Sequence, residues 1–491
     1  MSRPAPNEST YVNQQIPLVV DMDGTLCRSD TLDEALLGLM AKSPLQGIRA
    51  AGWLRGGKAD FKRQIADQIL LDPEALPYDP DVLAMIAEAR AEGRQVALIS
   101  AADHRQVEAV AEHLGIFDLA IGTGSPVTSE NLRGETKARF LVDNFGMRGF
   151  DYVGDSRADL PVWAAARGAY GVRPSTTLQK AASDQGTTLT PVGQPSTWPW
   201  RALMRACRPH QWAKNLLILL PVLTAQDLGK LPAALLAMLC FSMTASAVYV
   251  VNDLLDLAAD RAHPRKRLRP FAAGEASARH GLMVAIALTV TSLLLAAFLL
   301  PPSFMAVLLA YMVATSAYSF SLKRKMMADV VALATLYTLR IVAGAAATGI
   351  VISPWLLVFS MFLFFSLATI KRQAELEDMA KRGADRTSGR NMMAGDLPIL
   401  QAMSIGAAQA AVLVFALYSQ DPSVQSNFGH PDLLLLICPV LFFWLGRMQL
   451  MTRRGFMTDD PIVFTFRDRV SLLSGIAMVA IFAIAARGVT P

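Results

Sequence analysis

Long apolar runs fill the second part of the chain. Beyond about Arg201 they recur to the end, and each is long enough for a helix that crosses the roughly 30 Å hydrocarbon core of a bilayer. The pattern therefore predicts an all-α polytopic membrane bundle of about nine transmembrane helices. The predicted spans are centred near Leu219, Ser242, Leu293, Tyr311, Leu339, Phe362, Val412, Leu441 and Val479.

The first part of the chain has a different pattern. The segments "IPLVVD", "RQVALIS" and "FDYVGD" are short apolar runs that end in polar residues, and stretches with helical periodicity follow them. Strands that alternate with helices predict an α/β doubly wound parallel sheet. The helical insert from about Arg28 to Pro80 predicts a small cap over that sheet.

Two composition shifts set the predicted domain boundaries. The stretch from Arg173 to Trp198 is rich in Pro, Gly, Ser and Thr, which predicts a linker or a loosely ordered connector. We therefore predict a soluble domain over residues 1–172, with its cap at about 28–80. A linker over 173–197 and a membrane domain over 198–491 follow it.

Composition agrees with a membrane protein. The chain has 491 residues, of which 53% are hydrophobic, and its mean hydropathy is +0.33, which is too apolar for one soluble domain of this length. Its four cysteines form no CxxC pair and favour neither a zinc site nor a disulfide framework. The first residues, "MSRPAPNESTYVNQQ", lack an apolar core, so we expect no cleavable signal peptide.

The distribution of charge in the segments between the predicted spans predicts the orientation of the chain in the membrane. Lys and Arg concentrate in 261–279, 323–325, 371–390 and 447–469, whereas the intervening connections have almost none. By the positive-inside rule the charged loops and the N-terminal domain are cytoplasmic and the C-terminus lies outside, in a bacterial-type inner membrane. The same rule accounts for most of the net charge of +5, so this charge does not indicate a nucleic-acid partner.

A set of polar residues occupies the ends of the predicted strands. Ligands of a parallel sheet gather at the carboxyl ends of its strands, where Asp21, Ser100 and Asp155 lie. A DxDG sequence alone is also a common turn signal. The ordered set of an acidic pair, a serine, a lysine in "RGETKARF" and a late acidic pair is more specific. It resembles the haloacid dehalogenase superfamily of phosphatases from about Pro17 to Val172.

That resemblance implies a role for each residue. Asp21 would attack phosphorus, and Asp23 would protonate the leaving alcohol and then deprotonate water. Ser100 and Lys137 would hold the phosphoryl oxygens. A Mg²⁺ cofactor would bind to carboxylates from the set Asp21, Asp23, Asp155 and Asp159.

The stretch "VVNDLLDLAADRAHPRKRLRP" closes the second predicted span. Asp253, Asp256 and Asp260 are spaced by three and then four, so in a helix they share one face, with Asn252 beside them. Like charges at this spacing repel, which favours a positive group or a metal at that face. A solvated helix end is the alternative. We predict that Asn252, Asp253, Asp256 and Asp260 bind Mg²⁺, and that Lys266, Arg267 and Arg269 bind phosphate.

The membrane part resembles the UbiA superfamily of intramembrane prenyltransferases. The motifs that carry the likeness are "RPHQWAKN", the NDxxDxxxD sequence, "YSFSLKRK", "YTLRIVAGA" and "KRQAEL". With "DDPIVFTFRDR", they look like the branch that makes polyprenyl-phosphoryl 5-phosphoribose from phosphoribosyl diphosphate and polyprenyl phosphate. The chain departs from the superfamily after "YSFSLKRK", where only Asp329 is acidic. A single acidic residue in place of the second acidic motif weakens the interpretation that the membrane part holds two equivalent Mg²⁺ clusters.

Further basic residues are candidates for substrate binding. Arg340 lies inside an apolar run, where an arginine costs roughly 2.5–3.5 kcal/mol on insertion scales. It therefore needs a buried anion, an anionic ligand or a backbone carbonyl. The predicted substrate-binding set also includes Lys214, Asn215, Lys323, Lys371 and Arg372. The alternative for the lysines is an anchoring role at the membrane surface.

Three functions remain open from the sequence. The favoured one is a bifunctional enzyme, in which Asp253 and Asp256 serve transfer of 5-phosphoribose to a decaprenyl-type polyprenyl phosphate and the soluble domain removes the 5-phosphate. The second is an aromatic prenyltransferase that uses a prenyl diphosphate, as in quinone or haem pathways. The third is a soluble domain that only binds or tethers, against which the intact Asp21 and Asp23 argue.

Overall fold

The computed structural model describes residues 16–128, 130–194, 198–381, 391–457 and 460–486. The predictions for the first fifteen residues, for residues 195–197 of the linker, for residues 382–390 and for the last five residues lie outside this part. The chain divides into two compact units. One comprises Met1–Ala206 with Val250–Val284, and the other comprises Cys207–Tyr249 with Ala285–Pro491. Each is described by itself.

The first unit contains a six-stranded parallel sheet. The strand order is β3-β2-β1-β4-β5-β6, and every pairing is parallel. The central strands read as unbroken apolar runs because helices cover both of their faces. This confirms the predicted doubly wound α/β fold. The strands are β1 Leu18–Val20, β2 Val96–Asp103, β3 Leu119–Thr123, β4 Asp151–Gly154, β5 Gly168–Val172 and β6 Thr190–Val192.

Helices pack on both faces of the sheet. Leu18 and Val20 point into one core with residues of the helices Pro80–Ala91 and His104–Leu114. Val19 points into the other core with residues of the helices Glu135–Phe145 and Leu160–Ala165. The cap segment has a small core of its own, which contains Leu39, Phe61 and Ile65. The helices are α1 Thr31–Lys42, α2 Pro44–Ala50, α3 Lys58–Gln68, α4 Pro80–Ala91, α5 His104–Leu114, α6 Glu135–Phe145, α7 Leu160–Ala165, α8 Thr176–Ser183 and α9 Trp200–Cys207.

The predicted linker is partly folded. Residues 176–192 contain α8 and β6, and β6 pairs with β5 so that Thr190 lies opposite Tyr170. Leu178 and Ala182 are buried, which anchors α8 in the fold. The linker prediction is therefore wrong over these residues. The abundance of Ser, Thr, Gly and Pro concealed two short elements with few apolar positions.

The remaining helices form an all-α array. By length and composition, eight helices in the described residues are suited to crossing a membrane. This agrees with the predicted polytopic bundle. The helices are α10 Leu220–Ala225, α11 Leu231–Leu255, α12 Leu257–Arg261, α13 Ala278–Leu299, α14 Pro302–Phe320, α15 Ala328–Thr348, α16 Pro354–Lys381, α17 Leu397–Gln420, α18 Pro422–Gln425, α19 Ile437–Arg453, α20 Pro461–Arg467 and α21 Arg469–Ala486.

The span predicted near Leu219 is not one long helix. Residues Pro209–Leu219 form a 3₁₀ helix, and the six-residue α10 follows it. Pro209 and Pro221 each lie at the start of one of these elements, where their missing N–H group is tolerated. Hydropathy counts apolar residues and does not register such breaks, which explains the prediction of about nine spans.

The 3₁₀ helix packs closely on α15. A Cβ atom on Gly344 of α15 would lie 2.0 Å from the carbonyl oxygen of Ile218. Only glycine allows this approach of the two backbones. The contact fixes the side chains that follow Pro209, including Lys214 and Asn215, against those of α15.

Candidate active sites

The first site lies at the carboxyl edge of the sheet. Asp21 directly follows β1 and Asp155 directly follows the adjacent β4, so both carboxylates extend from the same edge. The Asp21 N–H donates to the carbonyl of Val153 at 3.0 Å, which ties the two strand ends together. Ser100 is buried in β2, the other neighbour of β1. Asp21 and Asp155 follow strand ends as predicted, whereas Ser100 lies within β2, three residues before the strand ends at Asp103.

Lys137 brings a positive charge to this edge. It belongs to the first turn of α6, and its side chain is only 2% exposed. Its Nζ lies 2.8 Å from Asp21 Oδ2 and 3.9 Å from Asp159 Oδ1. Burial alone would lower the pKa of Lys137, but Asp21 and Asp159 raise it above its ordinary value. The lysine therefore stays charged beside the carboxylate that we predicted as the nucleophile.

Three carboxylates crowd together beside Lys137. Asp21, Asp155 and Asp159 each offer an oxygen, and these oxygens lie within 4.8 Å of one another. Burial raises the pKa of Asp155 well above its ordinary value, and Asp159 and Asp21 raise it further. Hard oxygen ligands under mutual repulsion fit a divalent cation such as Mg²⁺. Gly24 leaves room for the Asp155 carboxylate, since a Cβ atom at position 24 would lie 2.2 Å from Asp155 Oδ2.

Asp23 has a different environment. Its Oδ1 accepts hydrogen bonds from the backbone N–H and the hydroxyl of Thr31, both at 2.8 Å. Burial raises the pKa of Asp23 to about 7; Asp30 and Asp21 raise it too, whereas the bonds from Thr31 oppose the shift. We predicted Asp23 both as acid–base group and as metal ligand. It lies outside the group of three carboxylates, so its position favours the first role.

Sequence reasoning missed three contributors to this site. The Tyr152 hydroxyl donates to Asp159 Oδ1 at 2.8 Å and accepts from Lys137 at 2.9 Å. Thr31, at the start of α1, orients Asp23. Lys62 of α3 donates to the carbonyl of Ala101, the residue after Ser100, and to Asn131 Oδ1 at 3.0 Å. Tyr152 lies two residues before Gly154 in "FDYVGDS", on the strand that leads to Asp155, so its sequence position could have indicated that it lies near the site. Nothing in the sequence marked the other two.

The acidic motif contains a break. Helix α11 ends at Leu255 and α12 begins at Leu257, so Asp256 lies between two helices. Asp253 and Asp260 nevertheless converge, because Arg269 Nη1 lies 3.0 Å from Asp253 Oδ1 and 2.6 Å from Asp260 Oδ2. A positive group thus occupies the acidic face. Burial raises the pKa of Asp260, and Arg269 opposes that shift.

The other predicted residues of this motif are more exposed. Asn252 and Asp256 are half-buried, and the Asn252 carbonyl accepts from the Asp256 N–H at 2.9 Å. Lys266 and Arg267 lie in an exposed 3₁₀ turn that ends at Leu268. The oxygens of Asp253 and Asp260 suit a divalent cation in their chemistry, and such an ion would compete with Arg269 for them.

The second unit contains a basic cluster around Asp460, in which Lys214, Asp460 and Arg340 are buried and Lys371 is half-buried; it is called the buried basic cluster below. Asp460 Oδ2 lies 2.7 Å from Lys214 Nζ and 2.9 Å from Lys371 Nζ. The Tyr337 hydroxyl is 3.3 Å from the same oxygen. Burial alone would raise the pKa of Asp460, but Lys371 and Lys214 hold it far below its ordinary range. Sequence reasoning missed Asp460 and Tyr337, although "DDPIVFTFRDR" and "YTLRIVAGA" contain them.

Arg340 belongs to the same cluster. Its Nε donates to Asn215 Oδ1 at 2.9 Å, and its Nη1 donates to the carbonyl of Leu336. Three aromatic rings surround the guanidinium, with centroids 5.4–5.6 Å away; they belong to Phe241, Tyr311 and Tyr337. Within the described residues, Arg340 pairs with no carboxylate. Of the three partners that we considered, the structure shows the backbone carbonyl.

Arg372 and Lys323 lie elsewhere. Arg372 is buried and donates to Asp329 Oδ1 at 3.1 Å and to Glu375 Oε2 at 2.6 Å. Asp329 also accepts from the Tyr318 hydroxyl at 2.8 Å. These contacts give Arg372 a structural partner, and its predicted contact with substrate remains a prediction. Lys323 lies in the 3₁₀ turn Leu322–Arg324.

Comparisons with known proteins match both parts of the chain. The UbiA prenyltransferase family model matches residues 216–486, and the haloacid dehalogenase-like hydrolase model matches residues 48–163, a range that contains Ser100, Lys137, Asp155 and Asp159. A Sinorhizobium fredii protein, y4nM, is 35% identical over 478 residues, which cover 96% of this chain and 92% of that protein.

A second relative covers the membrane part. The decaprenyl-phosphate phosphoribosyltransferase of Mycobacterium tuberculosis is 32% identical over 297 residues, which cover 59% of this chain and 95% of the relative. A solved UbiA homologue from Archaeoglobus fulgidus, bound to GPP and Mg²⁺, aligns with a TM-score of 0.45 at 19% identity and covers 57% of this chain and 99% of its own. The chain therefore belongs to the UbiA prenyltransferase family and carries a haloacid dehalogenase-like hydrolase domain before its membrane helices.

Proposed function

We propose that this chain is a bifunctional membrane enzyme. Its membrane part transfers 5-phosphoribose from phosphoribosyl diphosphate to a polyprenyl phosphate, and its soluble domain removes the 5-phosphate from the product. The observation that carries the proposal is a phosphatase-like group of Asp21, Lys137, Asp155 and Asp159 in a chain whose membrane part is 32% identical to a decaprenyl-phosphate phosphoribosyltransferase. The charged loops support a cytoplasmic soluble domain.

Asp21 and Lys137 serve the first phosphatase step. An Asp21 carboxylate oxygen attacks phosphorus and forms an aspartyl phosphate, while the bond from phosphorus to the 5-oxygen of the ribose breaks. Lys137 is 2.8 Å from Asp21, where it can offset the phosphoryl charge. Mg²⁺ held by Asp21, Asp155 and Asp159 would neutralise further phosphoryl charge.

Asp23 serves the proton transfers. Both hydrogen bonds from Thr31 go to Asp23 Oδ1, so we assign the proton transfer to Oδ2. Asp23 first gives a proton to the departing 5-oxygen and then takes one from the water that hydrolyses the aspartyl phosphate. A pKa raised to about 7 suits a group that performs both steps near neutral pH.

The membrane part has charges that suit a transfer between two phosphorylated substrates. In the transfer step, a phosphate oxygen of the lipid attacks the anomeric carbon while the bond to the diphosphate breaks. Asp253 and Asp256 would hold Mg²⁺, which supplies charge neutralisation to the departing diphosphate. Lys266 and Arg267 are exposed on the same segment and suit the 5-phosphate of the donor.

The buried basic cluster suits the acceptor. Lys214, Lys371 and Arg340 bring three positive charges, and Asp460 contributes one negative charge. Buried charges in apolar surroundings are costly unless they are balanced. We assign the phosphate of the lipid to this cluster because a phosphate would supply the missing negative charge.

Fusion of the two parts suggests that they act in sequence. A lipid-linked product stays in the membrane, so a tethered phosphatase meets it at a raised effective concentration. Removal of the 5-phosphate also leaves a product that no longer matches the transfer site, which makes the transfer harder to reverse.

Mass analysis of the lipid product tests the proposal. The intact enzyme, with phosphoribosyl diphosphate and polyprenyl phosphate, should yield lipid-linked ribose without the 5-phosphate. Asp21→Asn should leave transfer intact and accumulate lipid-linked 5-phosphoribose, because the nucleophile is lost. Asp143→Asn, an exposed position on α6, is the matched control. Identical phosphorylated lipid from the intact enzyme and the Asp21 variant would refute the sequential action.

Purified membranes that contain the enzyme can distinguish the proposed function from the alternative, an aromatic prenyltransferase. An aromatic prenyltransferase would require a prenyl diphosphate and an aromatic acceptor, and it would be indifferent to phosphoribosyl diphosphate. Labelled phosphoribosyl diphosphate should enter the lipid fraction only when polyprenyl phosphate is present. Incorporation of a labelled prenyl diphosphate into an aromatic acid instead would support the alternative.

A further inference from the structure

A segment next to the acidic motif packs against the cap of the phosphatase domain. Residues 261–280 and helix α1 belong to the same compact unit. Arg261, which follows Asp260 directly, forms a two-pronged ion pair with Glu34 of α1, with Nη1 2.7 Å from Oε2 and Nη2 2.5 Å from Oε1. The side chains are 8% and 5% exposed. A buried fork-to-fork pair of this kind is geometrically specific.

Further contacts extend along the same surface. The Arg279 side chain lies 2.6 Å from Asp30, the N-cap of α1, and 2.6 Å from Asp33 in its first turn, and both aspartates are half-buried. Gly274 has φ +69°, and a Cβ there would lie 2.9 Å from the Cβ of Arg28. A close backbone approach at a left-handed glycine and two charge-matched pairs favour one fixed docking geometry.

Helix α1 in turn determines the position of Asp23. Asp30 caps α1 and accepts from the N–H groups of Leu32 and Asp33. Thr31, the first residue of the helix, donates both hydrogen bonds to Asp23 Oδ1. Glu34 follows Thr31 by three residues, so the two lie on neighbouring positions of one helical face. A shift of α1 would therefore move Thr31 away from Asp23.

We propose that Arg261 and Glu34 are positioning residues for the phosphatase site, because their ion pair holds α1 and its Thr31 against Asp23. The segment that follows the acidic motif thus completes the phosphatase site from outside the phosphatase sequence. The inference rests on the proposed phosphatase function for its kinetic readout only. The docking itself can be measured without activity.

The test uses the full chain in detergent with Mg²⁺ and p-nitrophenyl phosphate as substrate. Arg261→Gln and Glu34→Gln should each lower kcat by roughly 10- to 100-fold, the range expected when a catalytic group is misplaced by about 1 Å. KM should stay within about twofold, since the phosphoryl-binding residues are untouched. The double variant should be no worse than either single variant, because both remove the same pair.

Charge reversal and a matched control sharpen the result. Combining Glu34→Arg with Arg261→Glu should recover part of the kcat that each reversal alone removes. Arg63→Gln removes an exposed pair with Asp60 elsewhere in the cap and should change nothing. If the buried variants fail to fold, Arg279→Gln, at the exposed rim of the same contact, should still lower kcat.

Hydrogen–deuterium exchange separates the two parts of the inference. Peptides that cover 31–42 should exchange faster in Arg261→Gln than in the parent or in Arg63→Gln. Unchanged exchange there would overturn the docking, and faster exchange with unchanged kcat would overturn the positioning role. If the parent itself has no phosphatase activity, the proposed function fails while the exchange result still decides the docking.

Discussion

At the scale of single residues, Asp460 is the clearest case of a side chain whose surroundings define its role. One carboxylate oxygen lies within 2.9 Å of two lysine nitrogens, and the third cation of the cluster, Arg340, binds neutral partners. A carboxylate that stays ionised beside two ammonium groups occupies the place that we propose for the phosphate of the lipid. Asp460 would therefore compete with an anionic substrate for Lys214 and Lys371.

This competition predicts the effect of Asp460→Asn on lipid binding. The change removes the competing charge, so KM for polyprenyl phosphate should fall roughly tenfold, which corresponds to about 1.4 kcal/mol. Initial rates of transfer at varied lipid concentration in purified membranes measure it. Asp432→Asn, at an exposed residue before α19, serves as the control. A rise in KM would instead show that Asp460 aids binding by holding the two lysines in place.

Single residues also show where sequence reasoning succeeds. Asp21, Asp155 and Lys137 were predictable because strand ends and a motif order place them together. The pairing of Lys214 with Asp460 joins residues 246 positions apart, and Arg261 meets Glu34 across 227 positions. No periodicity in the sequence encodes such distant pairs, so they required the structure.

At the scale of elements, the close contact between α15 and the 3₁₀ helix Pro209–Leu219 orders the basic cluster. Lys214 and Asn215 come from the 3₁₀ helix, whereas Tyr337 and Arg340 come from α15. Gly344 sets the distance between the two elements. The geometry of the cluster therefore depends on a position that has no charge.

A substitution at Gly344 tests this dependence. Gly344→Ala places a methyl group 2.0 Å from the Ile218 carbonyl oxygen, and overpacking of this kind typically costs about 1–3 kcal/mol. We expect a lower Tm in detergent and reduced transfer. Gly406→Ala in α17 meets nothing within 4 Å, so it should leave stability unchanged or raise it by up to about 1 kcal/mol. Equal Tm values for both variants would contradict the packing argument.

The helices and strands also show how far the hydrophobic pattern of the sequence can predict the fold. Long apolar runs predicted the eight long helices, and short runs with polar ends predicted the sheet. The pattern failed where an element buries little or is broken: no residue of β6 is buried, although the equally short β1 is buried throughout and was predictable, and the stretch near Leu219 is divided by prolines. An element with few buried apolar side chains has no hydrophobic pattern to detect.

At the scale of the whole molecule, the two proposed activities use separate residues within one chain. The phosphatase group belongs to the sheet, whereas Asp253 and Asp256 belong to the end of α11 and its junction with α12. Neither aspartate takes part in the ion pair between Arg261 and Glu34. We therefore expect that one activity can be removed without the other.

Asp253→Asn and Asp256→Asn should each abolish formation of lipid-linked phosphoribose. Hydrolysis of p-nitrophenyl phosphate should remain within about twofold of the parent, since the sheet edge is unchanged. Parallel assays of both activities on the same purified protein measure this, and Asp21→Asn gives the reciprocal pattern. Loss of both activities in folded protein would contradict independent sites.

The bridge that Arg269 forms between Asp253 and Asp260 bears on turnover. Without a counter-charge, two buried carboxylates left behind by a departing product would be costly, and release would be slow. Arg269 offsets one of the two negative charges in the resting state, so product departure leaves one uncompensated carboxylate charge instead of two. On the proposed mechanism, the contact between Arg269 and Asp253 has to open before Mg²⁺ and a new donor engage Asp253, which weakens the apparent affinity for the donor by the free energy of opening. On the proposed function, we therefore expect the bridge to weaken retention of the donor and to speed recycling of the site.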